Sequence, residues 1–337
     1  MPQGHAWWIT GPGAGEIRPA AVAQPGTGDV AVHTLFSGIS RGTESLVFGG
    51  RVPPDQFGQM RAPFQEGEFP GPVKYGYLNV GTVTTGPPEL AGRAVFCLYP
   101  HQTDYVVPVS AVLPVPTGVP ARRAVLAGMA ETAVNALWDA APRVGDRACV
   151  VGAGVLGCLT AWLLARVPGV TVTLVDTDPS RQAAALALGA DFAAPDEVRG
   201  EHEVVIHASA SADGLATCLS LLPVDGVVTE LSWYGAGTVP VPLGGSFHAR
   251  RLGIRASQVG TVSPARQATR SRRDRLALAL RLLHDDALDV LLGADTAFRD
   301  LPGAMPELLH RPGVCSVVRY ESASGDEKEQ EQQRCSR

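Results

Sequence analysis

Residues 149–164 read CVVGAGVLGCLTAWLL: an apolar run, a glycine-rich bend, then a second apolar run. Gly152, Gly154 and Gly157 fall in the pattern G-x-G-x-x-G. A bare match to that pattern is weak evidence. Here a strand-like run precedes it and a helix-like run follows, which is the context its chemistry requires. In such a bend the first glycine permits the tight turn, the second lets the backbone approach a diphosphate, and the third lets helix and strand pack closely. The first helical residues, Val155 and Leu156, then offer unbonded amides and a partial positive charge to an anion. The segment predicts a dinucleotide-binding turn.

The next apolar run ends at Val175, and Asp176 lies 19 positions after Gly157. A carboxylate about 20 residues beyond the turn can accept hydrogen bonds from both hydroxyls of a ribose. It also repels the additional phosphate of NADP, because like charges at short range cost free energy. Asp176, followed by Thr177 and with Arg181 in position to lie over the adenine, favours NAD(H). Later strand ends add contacts at the carboxyl edge, where such sheets bind ligands. One is at Ala208 and Ser209. Another is at Trp233 and Tyr234, which either flank the nicotinamide or pack in the ordinary way.

Strand-like runs at 148–151, 170–175, 204–207, 226–231 and 254–259 alternate with helix-like runs at 155–166, 180–188 and 213–222. That alternation predicts a parallel sheet covered on both faces. Residues 1 to about 120 differ. Short alternating runs at 30–35, 81–83, 94–98 and 104–107 are cut by Gly and Pro, which predicts a small barrel-like β domain. Residues 49–75 show little periodicity and read as a long loop bordering a binding site. Residues 121–141 predict one or two helices, 274–284 and 301–310 two more, and 315–319 a last strand. The tail at 321–337 has almost no apolar residues and is expected to be disordered.

A chain of 337 residues implies two domains, and 45% hydrophobic with 18% charged residues suits two ordinary cores. The net charge of −5 leaves no basic face for a nucleic acid. Arg266, Arg270, Arg272, Arg273 and Arg275 form the densest basic stretch. They read as a solvated helix face, with a phosphate or partner contact as the sharper alternative. The six cysteines include no C-x-x-C pair, which argues against a disulfide framework and points to the cytoplasm. No signal peptide and no membrane span are expected.

The order of these features resembles the medium-chain dehydrogenase/reductase superfamily. The resemblance rests on SGISRGTES at 37–45, GYLNVGTV at 76–83, ETAVNAL at 131–137 and RVGDRACVVGAGVLG at 143–157, and spans about residues 5 to 320. It implies an α/β protein with a GroES-like β-barrel domain at 1–126 and 263–320 and a Rossmann doubly wound parallel sheet at 127–262. It also implies a small-molecule substrate and a homodimer paired near Ser257–Gly260. Within the superfamily, SRGTES, PHQ at 100–102 and SQVG at 257–260 look similar to the bacteriochlorophyllide a dehydrogenase branch.

Zinc-dependent members bind the catalytic metal through a Cys, a His and a Cys or Glu. The positions matching those are Ser40, Tyr77 and Gly128 here, and the region 90–101 has only Cys97 where a structural zinc would need four cysteines. Thiolate or imidazole ligands are needed to hold zinc. The expectation is therefore no zinc. Without that Lewis acid, proton transfer and charge stabilisation fall to side chains. The candidates are Ser40, Thr43, Glu44, Tyr77, His101 and Glu131. Tyr77 takes a metal ligand's place and can donate to a substrate oxygen. His101 is an acid/base candidate or an ordinary core histidine. Glu44 accepts a proton or pairs with Arg41, which by resemblance reaches the cofactor phosphates, while Thr132 lines the nicotinamide pocket. The expected reaction is reversible oxidation of a secondary alcohol to a ketone. The alternatives are C=C or C=N reduction, a redox-neutral cyclase or lyase, and a non-catalytic nucleotide-binding protein.

Overall fold

A computed structural model describes residues 3–311 and 313–321. The expected disordered tail lies outside the described residues from 322 onward. Its first residue, Glu321, belongs to the fold instead: its carbonyl accepts from His33 Nε2 at 3.0 Å and its carboxylate pairs with Arg299.

The described chain forms two compact units. One comprises 3–126, 292–311 and 315–321, and the other 127–291 with 313–314. The return to the β unit is thus at Leu292, not at 263 as the sequence suggested. The physical reason is the helix Arg272–Leu282, which buries Leu276, Ala279 and Leu280 and sends Arg275 to the helix Ala127–Ala140. An amphipathic helix belongs wherever its apolar stripe is covered, and the sequence does not say by what.

The second unit is built on a six-stranded parallel sheet. Its spatial order is Asp191–Ala193, Thr171–Val175, Arg147–Val151, Val204–His207, Val227–Glu230, Gly253–Ala256. In register, Val150 lies between Leu174 and Ile206. These are buried on both faces, as their unbroken apolar character requires. The chain starts in the middle, runs to one edge and then returns to build the other. The crevice where the order reverses lies between Arg147–Val151 and Val204–His207, and ligands bind at such a switch point. The strand Asp191–Ala193 had no counterpart in the sequence reading, because three residues are too few for any period to show.

In the first unit, the largest sheet has the order Leu292–Ala297, Cys315–Arg319, Asp29–Ile39, Asn79–Thr85, Ala94–Cys97, Val112–Pro114, with Asp104–Pro108 also paired to Asp29–Ile39. Val30, Val32, Val83, Val95, Tyr105 and Val107 fill its core. A four-stranded sheet, Ala14–Ala21, Gln3–Gly11, Val73–Lys74, Glu66–Gly67, lies in the same unit. Two of its strands fall in the stretch read as a loop. Each has two residues, and one supplies Lys74, a buried cation held by Glu66, by Gln102 at 2.8 Å and by the Tyr99 ring.

Candidate active site

The glycine turn sits in the second unit at the end of Arg147–Val151. Gly152 has φ +112°, where a side chain is strained, and a Cβ there would come within 2.6 Å of the Ser209 nitrogen. Gly157 is packed harder: a Cβ would run into the Gly152 carbonyl oxygen. Gly154 is the opposite case. Its backbone is extended, it caps the helix Val155–Leu164, and a Cβ on it would meet nothing within 4 Å. Two glycines are thus required by the chain's own packing, while the middle one faces open space. No side chain caps the helix, so the amides at Val155 and Leu156 are left for an anion.

Asp176 follows the neighbouring strand and points back at this turn. Its Oδ2 accepts from the Ala153 amide at 2.6 Å and its Oδ1 from the Asp178 amide at 3.0 Å. Asp178, not Asp176, caps the following turn, accepting from the Ser180 amide. Arg181 pairs with Asp178 at 2.9 Å and lies against Gly313, and Thr177 is exposed beside them.

The carboxyl end of Val204–His207 carries a network that the sequence reading did not find. His207 is fully buried, with Nδ1 2.7 Å from Glu230 Oε2 and Nε2 2.7 Å from Ser209 Oγ. Glu230 also accepts from the Ser232 amide at 2.7 Å and from Tyr234 Oη at 3.2 Å. Burial opposes the charge on Glu230, yet its bonds to His207 and Ser232 outweigh that and hold its pKa below the usual carboxylate value. Tyr234 is therefore engaged through its hydroxyl, with its ring stacked on His207. Ala208 packs opposite Gly157, and Trp233 is half-buried.

In the first unit, five of the six catalytic candidates come together where the strand Asp29–Ile39 passes into the helix Arg41–Phe48. Tyr77 Oη donates to Ser40 Oγ at 2.6 Å and lies 3.4 Å from Thr43 Oγ1. Burial pushes the Tyr77 phenol above its usual pKa, against its bonds to Ser40 and Thr43. It is a neutral hydrogen-bond donor throughout the physiological range. Behind this pair lies Glu44, 3% exposed. It accepts from the Ser40 amide at 2.8 Å and pairs with His101 Nε2 at 3.0 Å. His101 Nδ1 meets Ser37 Oγ at 2.7 Å, and Ser37 meets Tyr320 Oη at 2.9 Å. His101 is 1% exposed and both its ring nitrogens are taken. The ring is thus held inside the first unit. Ser37, Tyr320 and the neighbouring Cys315 were not singled out in the sequence, since a serine and a cysteine inside strands and a tyrosine just past a strand end carry no local signal.

Glu131 is not among them. It belongs to the second unit, where its carboxylate meets Arg275 Nε at 3.0 Å, both groups buried. Burial raises the Glu131 pKa, and Arg275 opposes this. Arg275 is correspondingly no surface residue, unlike the exposed Arg266, Arg270, Arg272 and Arg273 around it. Removing one partner strands a buried charge, so Glu131→Ala should cost about 3–5 kcal/mol in urea unfolding. A loss under 1 kcal/mol would restore Glu131 to the list of chemical candidates. Thr132, half-buried, donates its hydroxyl to the Gly128 carbonyl within the same helix. Arg41 is exposed in the first turn of Arg41–Phe48.

A catalytic zinc needs thiolate, imidazole or carboxylate donors. Ser40 and Tyr77 are neutral hydroxyls bonded to each other, and Gly128 has no side chain. The Cys315 thiol is pushed up to about 12, first by burial and then by Glu44, so it stays protonated. These groups do not fit the metal. Among the described residues no group of three or more His, Cys, Asp or Glu is placed to hold a metal ion. No described helix is long and apolar enough to cross a membrane.

No family model matches the chain. A 2-desacetyl-2-hydroxyethyl bacteriochlorophyllide A dehydrogenase of Rhodobacter capsulatus is 28% identical over 253 residues, covering 69% of this chain and 74% of that one. Among solved structures, L-idonate 5-dehydrogenase of Escherichia coli matches with a TM-score of 0.77 at 15% identity, over 95% of this chain and 99% of that one. 2R,3R-butanediol dehydrogenase of Bacillus subtilis matches at 0.71 and 17%, over 94% and 99%. A zinc-binding dehydrogenase of Sinorhizobium meliloti, bound to NADP, matches at 0.74 and 16%, over 95% and 100%.

Proposed function

The chain has the two-part fold of the medium-chain dehydrogenases/reductases, and from that premise we propose that it is an NAD(H)-dependent oxidoreductase. It interconverts a secondary alcohol and a ketone on a bulky small molecule, without a catalytic zinc. The observation that carries this reading is the glycine turn, in which Gly154 alone faces open space beside uncapped helix amides. The diphosphate would be held there, with Asp176 on the adenosine ribose. A bound nicotinamide supplies the hydride donor or acceptor.

The remaining chemistry belongs to the first unit. Tyr77, whose one proton goes to Ser40 Oγ in this structure, turns that proton to the substrate oxygen and stabilises the charge that develops there. Ser40 is the hydroxyl in contact with the Tyr77 phenol oxygen. Glu44 holds the Ser40 backbone and His101, and so keeps the hydroxyl pair in place without touching the substrate. The relative named for a hydroxyethyl-bearing compound supports an alcohol as the reacting group.

Asp176 sets the choice of NAD over NADP. Asp176→Asn removes the charge that repels the ribose phosphate, so the ratio of NADH to NADPH affinity should fall at least tenfold. An unchanged ratio takes Asp176 out of the ribose site. The reading as a whole is tested on purified protein by NADH fluorescence titration, elemental analysis, and nicotinamide absorbance during turnover of a panel of ketones, enones and imines. NADH binding with ketone turnover and no stoichiometric zinc is expected. Turnover of enones or imines alone overturns the alcohol assignment, and one equivalent of zinc overturns the metal-free chemistry.

A further inference from the structure

We propose that His207 and Glu230 are positioning residues for the dinucleotide, acting through the Ser209 hydroxyl, which they present as a hydrogen-bond acceptor to its nicotinamide–ribose half. The inference rests on the dehydrogenase reading and names a contact that the glycine turn and Asp176 do not supply.

The place follows from the sheet order. Asp176 follows the strand on one side of Arg147–Val151, and Ser209 follows the strand on the other. A dinucleotide with its diphosphate at the turn and its adenosine ribose on Asp176 carries its other half past Ser209. The backbone of Ser209 packs directly on Gly152, and the residue is exposed.

The polarity follows from counting protons. Glu230 accepts three hydrogen bonds, from His207, Ser232 and Tyr234, which keep it ionised. An ionised carboxylate only accepts, so the His207 proton sits on Nδ1. With its proton on Nδ1 the ring offers Nε2 as an acceptor to the Ser209 hydroxyl, 2.7 Å away. Ser211 Oγ already accepts from the Gly214 amide at 3.0 Å, which leaves its proton to go to Ser209 Oγ at 2.8 Å. Ser209 has thus used its only proton and received one bond. What remains is a lone pair. That matches a ribose hydroxyl or a carboxamide N–H and mismatches a phosphate oxygen. The arrangement requires glycine at 214, since a Cβ there would strike Ser209 Oγ, Ser211 Oγ and His207 Nε2. A serine, a histidine and a glutamate joined in sequence otherwise describe an activated nucleophile. Here the serine abuts the nucleotide crevice, which favours recognition.

The test is NADH titration of the full-length protein, with melting temperatures to verify folding. Ser209→Ala, at an exposed position, should weaken NADH about tenfold, the scale of one neutral hydrogen bond, and Ser209→Thr should restore most of the loss. His207→Gln and Glu230→Gln should each weaken NADH several-fold. The double variant Ser209→Ala/His207→Gln should bind no worse than Ser209→Ala, because the pair acts through that hydroxyl. A merely structural His207 would give multiplying losses, and this overturns the proposal. So does Ser209→Ala binding as tightly as wild type. If the wild-type protein binds no NADH at all, the dehydrogenase reading falls first and takes this one with it.

Discussion

Gly157→Ala should destabilise the second unit by about 3 kcal/mol or more, while Gly154→Val leaves stability within about 0.5 kcal/mol and weakens NADH at least a hundredfold. The two positions are three residues apart in one turn and should fail in opposite ways. At Gly157 the new methyl collides with the Gly152 carbonyl oxygen, and backbone cannot rotate aside as a flexible side chain would. The helix Val155–Leu164, whose own Cys158, Leu159 and Leu164 are fully buried, would have to lift off the sheet. At Gly154 the backbone, at φ −71° and ψ 176°, suits any residue, and nothing of the protein stands where the side chain would go. The isopropyl group would occupy the open space where we propose that the diphosphate binds. Urea unfolding and NADH fluorescence measure the two effects separately. If Gly154→Val binds NADH like wild type, the open face of the turn is not the cofactor site.

Tyr77→Phe should lower turnover about a hundredfold with NADH affinity unchanged. Losing one preorganised donor to a developing charge costs roughly 10² to 10³ in rate, and the substitution leaves the ring in place. Tyr77 bonds Ser40 and Thr43, both in the first unit. Because burial raises the phenol's pKa, it stays protonated through the neutral and mildly alkaline range. The loss should therefore be the same at pH 6 and pH 9, to within about twofold. A loss confined to the alkaline side would mean that Tyr77 ionises and acts as a base. Equal losses in turnover and NADH binding would mark a packing role.

Some of the site was legible in order along the chain because its causes are local. The strand, bend and helix around Gly152, Gly154 and Gly157 lie within sixteen residues, and steric need at each glycine leaves a mark at that position. Ser40, Thr43 and Glu44 share one helix start. The hidden part is polar and long-range. Arg275 looked like one of five surface arginines, yet it alone is buried, and its partner Glu131 lies 144 positions away. His207 and Glu230 read as ends of apolar strands, with nothing in either to announce the other.

From sequence alone came the two-domain α/β plan and a glycine turn followed by an acidic residue, while a hydroxyl and a phenol at the positions of two metal ligands came from the resemblance. The turn and its acidic residue depend on a spacing within about 25 residues, where backbone geometry ties residue type to place. Tertiary structure decided which polar groups are buried and which partners they meet. Glu44 meets His101 across 57 residues and Ser37 meets Tyr320 across 283. A buried polar group needs partners, but folding brings those partners from anywhere in the chain, so no local pattern records them.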